Sequence, residues 1–296
     1  MNVYTLKIFC DVIDTSSFSE AAKLNFVTQS AVSQQINALE KKFDDALFVR
    51  NKNKFELTVS GSILYKYARE ILELHDKLNE EISSAKDITA GKIRLSTIYS
   101  IGLHELPSLI KLFMKKYPHV LLHIEYARMD QVLYDVSNGS VDLGIVAFPK
   151  ENHMIDILPF RKDRLVCIVG PDHRFWGRES INFNELNGER FVSFNKDIPT
   201  GKAVFEVFKE HGVEVETVMS FDNIETIKRA VEIDTGLSIV PKVTVRNEIN
   251  LKTLHAVDFD NFTWERPLGI IVKKGKEPSS ITKLLIEFLQ KNKEPF

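Results

Sequence analysis

The first 90 residues place apolar side chains at helical spacing almost throughout, with no proline and with Gly61 as their only glycine. From Gly91 onward, short β-branched runs alternate with amphipathic stretches, and that change of period marks the main domain boundary. Runs at 93–98, 120–126, 141–147, 165–170, 191–194, 213–221, 237–240 and 267–272 predict strands. Stretches at 102–117, 129–138, 200–211, 223–233 and 279–291 predict helices. Strands alternating with helices of this length predict an α/β fold with mainly parallel sheets, and the order of elements predicts two similar lobes in tandem.

Within the helical third, Ser17-Phe18-Ser19-Glu20 has the form of a capping box, opening a short helix that should bury Phe18, Ala21, Ala22 and Leu24. Asn25-Phe26-Val27 makes a turn, and Thr28 caps a second helix that runs to about Phe43. On that helix Val32, Ile36, Leu39 and Phe43 follow core spacing, while Ser30, Ser33, Gln34, Asn37 and Lys41 form the opposite stripe. Gln and Asn pair bidentately with adenine edges, Ser donates or accepts at any base, and Lys41 adds a cation for the DNA backbone. Residues 47–49 and 55–57 read as strands joined by a basic turn, Arg50-Asn51-Lys52-Asn53-Lys54, a wing able to reach phosphates or the minor groove. From Thr58 to about Lys86, Leu64, Tyr67, Ile71, Leu74 and Leu78 alternate at spacings of 3 and 4, as in a coiled-coil seam. The other reading of this stretch is a long helix packed on its own domain.

Composition narrows the classes. A chain of 296 residues, 44% hydrophobic and 27% charged, fits a soluble protein of two or three domains. No apolar run reaches the ~18 residues of a membrane span, and the amphipathic N-terminus does not resemble a signal peptide. The expectation is a cytoplasmic protein with no membrane partner. Two cysteines far apart, Cys10 and Cys167, exclude a disulfide framework and argue against a zinc site. The net charge is −2, and the first 58 residues carry seven Lys and Arg against seven Asp and Glu. Any case for DNA therefore rests on where charges sit, and Arg50, Lys52 and Lys54 do crowd together. No G-x-S-x-G elbow, H-E-x-x-H helix or glycine-rich dinucleotide turn occurs, and Thr200-Gly201-Lys202 lacks the rest of a phosphate loop. No catalytic residue, metal or cofactor is expected.

Ser17-Phe18-Ser19-Glu20-Ala21-Ala22, Thr28 to Ile36, Leu39-Glu40, Leu47-Phe48-Val49-Arg50 and Leu57-Thr58-Val59-Ser60-Gly61 together resemble the N-terminal signature of LysR-type transcriptional regulators, and the likeness extends over essentially the full chain. It implies an N-terminal all-α winged helix-turn-helix (1–58), a long linker and dimerisation helix (59–87) and a hinge (88–91). An α/β effector domain follows, built of two Rossmann-like lobes as in periplasmic binding proteins. The first lobe is 92–161 with 268–296, and the second is 162–267. The resemblance further implies that Gln29, Ser30, Ser33 and Gln34 meet bases, that Thr28, Lys54 and Thr58 meet phosphates, and that Arg50 enters the minor groove. The implied partners are promoter double-stranded DNA, a second copy in dimers paired into tetramers, and RNA polymerase. Gln34 stands where many members carry Arg, and Phe43-Asp44 replaces a usual Leu-Gly.

The effector is expected between the lobes, beyond the carboxyl ends of the strands. Ser100 lies between a strand and a helix, with Tyr99 beside it, and Thr200 opens a second-lobe helix after the strand that contains Ser193. Arg128 follows a strand end and suits a carboxylate, sulfate or phosphate. Phe148 follows another strand, and Met129 stands where members often place Thr. The expected effector is a small anionic metabolite. Each of these residues also has a plainer reading: Ser100 and Thr200 as helix caps, Arg128 in a surface salt bridge, Phe148 in the core. Residues 100–106 resemble the branch regulating sulfur assimilation or carbon fixation, which names no ligand. The alternative function is a stand-alone solute-binding protein, against which the helical N-terminal third argues.

Overall fold

The computed structural model describes residues 2–49, 56–84, 90–260 and 262–292. The chain divides into two compact units, Met1–Lys86 and Asp87–Phe296.

In the first unit, helices α1 (Val3–Asp14), α2 (Phe18–Leu24) and α3 (Gln29–Phe43) enclose a core of Leu6, Phe9, Val12, Ala21, Ala22, Val32, Ile36, Leu39 and Leu47. Ser17 caps α2 by accepting from the Glu20 amide at 3.2 Å, but the Glu20 carboxylate pairs with Lys23 rather than closing a capping box. Leu24 and Phe43, expected in the core, are exposed. Leu24 ends a seven-residue helix, and Asn25 takes the buried place after it. Its amide donates to Asp11 at 2.6 Å and to the Ala21 carbonyl at 2.8 Å, and its oxygen accepts from Lys7. Phe43 is the last residue of α3, where Asp44 turns the chain away in the left-handed region at φ 50.

Helix α4 (Val59–Ser84) begins at the base of the hairpin, where Phe48 pairs antiparallel with Leu57 and Val49 donates to the Glu56 carbonyl at 2.9 Å. The hairpin tip, with the wing residues Arg50, Lys52 and Lys54, lies outside the described residues. Gly61 is required at this crossing, because a Cβ there would run into the Leu47 carbonyl. Helix α4 uses two faces. Leu64, Tyr65, Ala68 and Leu72 pack on the core of this unit, so Leu64 sits on the internal face. Tyr67, Ile71, Leu74 and Leu78 stay exposed on the other.

The second unit starts with three parallel strands, β1 (Gly91–Thr97), β2 (Val120–Tyr126) and β3 (Leu143–Ala147), joined by α5 (Leu106–Lys116) and α6 (Met129–Asn138). Two long strands, β4 (Ile155–Val169) and β10 (Trp264–Lys273), then run antiparallel to each other from one lobe into the other. The second lobe adds β5 (Ser180–Ile181), β6 (Arg190–Phe194), α7 (Pro199–His211), β7 (Glu216–Phe221), α8 (Ile224–Glu232), β8 (Ser238–Pro241), α9 (Arg246–Leu251) and β9 (His255–Phe259). Helix α10 (Ser280–Lys291) packs back on the first lobe through Ile281, Leu285 and Leu289. The main sheet runs β2-β1-β3-β10-β4-β9-β5 with β8 also on β4, and β6 pairs with β7. The sheet is mixed rather than mainly parallel, because both crossing strands run against their neighbours. Each lobe has its own core, one around Leu95, Ile145 and Ile270, the other around Cys167, Phe183 and Phe191.

Candidate nucleic-acid interface and effector cleft

On α3 the polar stripe faces out. Gln29, Ser30, Gln34, Asn37 and Lys41 are exposed and Ser33 is half-buried, while Val32, Ile36 and Leu39 on the opposite side are fully covered. Thr28 caps the helix, accepting from the Ala31 amide at 3.2 Å, and shares a 2.9 Å hydrogen bond with Ser30. The Gln29 side-chain oxygen accepts from Ser19 at 3.2 Å, which ties α3 to α2 and leaves the Gln29 amide nitrogen to donate outward. Thr58 is differently occupied. Its hydroxyl donates to the Ala46 carbonyl at 2.6 Å and accepts from the Gly61 amide at 2.9 Å, so it caps α4 and has no proton left for a phosphate.

In the second unit a cleft of about 370 Å³ opens between the lobes. Tyr99, Ser100, Arg128 and Met129 line it from the first lobe, and Phe194, Asp197, Ile198, Thr200, Lys202 and Asp222 from the second. Arg266, on β10, forms part of its lining and is 1% exposed. Its Nε and Nη2 donate to Asp163 at 2.9 and 2.5 Å, and its Nη1 donates to Ser100 at 3.2 Å and to Thr200 at 3.4 Å. One guanidinium thus touches a hydroxyl from each lobe. Neither hydroxyl is a helix cap. Ser100 precedes a π-turn (Ile101–Glu105) without capping it, and the N-terminus of α7 has no side-chain cap at all.

Two further links cross between the lobes. Arg128 pairs with Asp197 and, at 3.4 Å, with Asp222, and these acids raise its already high pKa. His104, in the π-turn, meets Glu225 of α8 at 2.7 Å, and Glu225 in turn pairs with the buried Lys228 at 2.9 Å. Burial holds the His104 ring below the ordinary histidine pKa, against the upward pull of Glu225. Burial pushes Glu225 up, but its hydrogen bonds to Lys228 and His104 leave it below the usual carboxylate range.

The sequence profile of the LysR substrate binding domain matches residues 86–294, and that of the bacterial regulatory helix-turn-helix protein, lysR family, matches residues 4–62. The chain belongs to the LysR family of transcriptional regulators. It is 30% identical over 280 residues, 93% of this chain and 92% of the other, to a protein of Cyanidioschyzon merolae described as "Probable RuBisCO transcriptional regulator". The regulatory domain of Synechocystis CcmR, solved in complex with 2-PG, covers 68% of this chain and 98% of its own at 29% identity, with a TM-score of 0.62. A full-length OxyR variant from Pseudomonas aeruginosa shares the fold over 98% of this chain and 94% of its own, with a TM-score of 0.73 and 21% identity.

The regulator therefore has a DNA-binding helix-turn-helix and an effector-binding domain, and no helix among the described residues is long and apolar enough to cross a membrane. Of the expected effector residues, Tyr99, Ser100, Arg128, Met129 and Thr200 line the cleft together. Phe148 and Ser193 do not. Phe148 takes a left-handed backbone at φ 49 and packs against the first-lobe core. Ser193 is buried, donates to the Phe194 carbonyl at 2.6 Å and meets Ser220 across the β6–β7 pair. Sequence reasoning missed Arg266, Asp163, Asp197, Lys202 and Asp222. The sequence carries no local signal for Arg266 and Asp163: 161–164 is an unbroken charged run, and Glu265-Arg266 are adjacent charges before Pro267, so neither shows the alternation of a half-buried strand.

Proposed function

We propose that this regulator reads promoter DNA through the α3 stripe as a dimer joined by the exposed α4 face, in the cytoplasm, and that a small anionic effector bound between the lobes changes its DNA binding. The observation that carries the effector half is the Arg266 contact to Ser100 on one lobe and Thr200 on the other. A ligand replacing or bridging those contacts interacts differently with open and closed arrangements, and only such a difference shifts the equilibrium between them. The uncapped N-terminus of α7, with Thr200 in its first turn, suits an oxyanion. The 2-PG complex of the CcmR domain is a precedent at 29% identity for an anion in this fold.

On the DNA side, Gln29, Ser30, Ser33, Gln34 and Asn37 would meet base edges, Thr28, Lys41 and the wing residues Lys52 and Lys54 the DNA backbone, and Arg50 the minor groove. Pairing of two subunits would read half-sites about 34 Å apart or a multiple of it, and two dimers would form a tetramer that presents the promoter to RNA polymerase. The test is thermal-shift and DNA-binding titration of the full chain with small anionic metabolites, 2-PG among them. An anion that raises the unfolding midpoint and alters DNA affinity, with both responses reduced by Ser100→Ala, is the expected result. Response only to neutral or cationic compounds would refute the anionic reading.

A further inference from the structure

Three cations border the cleft, and their partners differ. Arg266 is matched by Asp163, which takes both Nε and Nη2. Arg128 is surrounded by three carboxylates, Asp197, Asp222 at 3.4 Å and Asp130 at 3.8 Å. Lys202 is exposed and lines the cleft from the first turn of α7; its backbone N–H donates to the Ile198 carbonyl, but its ammonium has no ion pair or hydrogen bond among the described residues. The two guanidiniums face four carboxylates, a balance of −2 that Lys202 brings to −1, so both arginines are fully matched by acids and the Lys202 ammonium is the cation of the cleft lining with no carboxylate on it among the described residues. Lys202 also stands two residues from Thr200, at the end of the cleft where the α7 amides begin.

We infer that Lys202 is the residue that supplies the charge for anion binding, and that the two arginines do not. Arg266 offers a directed hydrogen bond from Nη1, its charge being neutralised by Asp163, and Arg128 links the lobes through its acids. A lysine ammonium on a flexible stem suits this task, because it follows the ligand as a mobile point charge while the hydroxyls fix orientation. The inference rests on the effector-cleft reading above. It adds the residue that sets charge selectivity.

The experiment is isothermal titration of the full-length protein with inorganic phosphate, sulfate and 2-PG at low and high salt, using wild type, Lys202→Met and Lys202→Arg. Because Lys202 is exposed and unpaired, the thermal midpoint of the unliganded variants should match that of the wild type. Expected is a loss of about tenfold or more in affinity for the best probe in Lys202→Met, with a flatter salt dependence, and recovery to within about threefold in Lys202→Arg. Affinity in Lys202→Met within about twofold of wild type would overturn this inference and leave the cleft reading intact, as would equal loss in both variants. Failure of the wild type to bind any of the three anions would overturn both.

Discussion

Arg266 and Asp163 stand directly opposite each other in the register of β10 and β4, at the point where both strands pass from one lobe to the other. Both are buried, and Asp163 accepts from two nitrogens of the guanidinium. The pair fixes the plane of the arginine, so that its remaining nitrogen points to Ser100 and Thr200. A structural ion pair at the crossover thereby sets the geometry of the floor of the ligand cleft.

Breaking that pair from one side leaves an unmatched buried charge. Asp163→Asn should lower stability by about 3–5 kcal/mol. Trp264 and Trp176 are the only tryptophans and both lie in the second unit, so tryptophan fluorescence during urea unfolding reads this loss directly. An unchanged midpoint would show that the pair is not a structural element.

The His104–Glu225 link should make stability depend on pH. Because burial holds the folded His104 below its ordinary value, the unfolded chain takes up a proton at a pH where the folded chain does not. This contribution is complete above the ordinary histidine range and is lost as pH falls below it toward the lowered folded value. The unfolding midpoint should decline from about pH 7 to about pH 5, and His104→Gln should flatten that decline. An identical slope in the variant would remove His104 from the account. The groups facing the ring that must be weighed with it are Glu225, Lys228 and Glu248.

Gly61 is a point of close approach between α4 and the hairpin base. Gly61→Ala should destabilise the first unit by about 1–3 kcal/mol through overpacking. Loss of DNA binding at a temperature where tryptophan fluorescence of the second unit is still native would be the signature. Wild-type DNA affinity at elevated temperature would contradict it.

Leu74 and Leu78 are 68% and 53% exposed on a helix whose opposite face is already packed, so the α4 seam requires a second surface. Leu74→Glu should shift sedimentation from dimer or larger toward monomer and weaken DNA binding. A variant that sediments like the wild type would place the subunit contact elsewhere.

The helical third was legible in detail because its signals are local: Ser17 and Thr28 do cap their helices, and the 3.6 period separates Val32, Ile36 and Leu39 from the polar stripe. Leu24 and Phe43 misled because a helix end breaks the period, and the left-handed Asp44 gave no separate warning. In the second unit the strand expected at 165–170 is the latter part of one that begins at Ile155. Its first half was hidden by Pro159 and the run Arg161-Lys162-Asp163-Arg164, which reads as loop. Those charges alternate in burial: Arg161 pairs with buried Glu105 at 2.7 Å and Asp163 with Arg266, while Lys162 and Arg164 face out. The cleft was legible only in part for the same reason. Ser100, Arg128 and Thr200 lie at strand ends that periodicity marks, but the partners of Arg266 are 66 to 166 residues away and follow only from the three-dimensional crossing.

The most direct test of the account is the affinity ratio between duplexes selected from a random pool by the full-length wild-type chain and scrambled duplexes of equal length. Gln29→Ala should reduce that ratio by about 5- to 150-fold, equivalent to about 1–3 kcal/mol, with scrambled-duplex affinity unchanged. By comparison, Arg50→Ala should weaken both duplexes alike and lower the salt slope by about one unit. Equal losses on selected and scrambled DNA for Gln29→Ala would contradict base reading by the exposed face of α3.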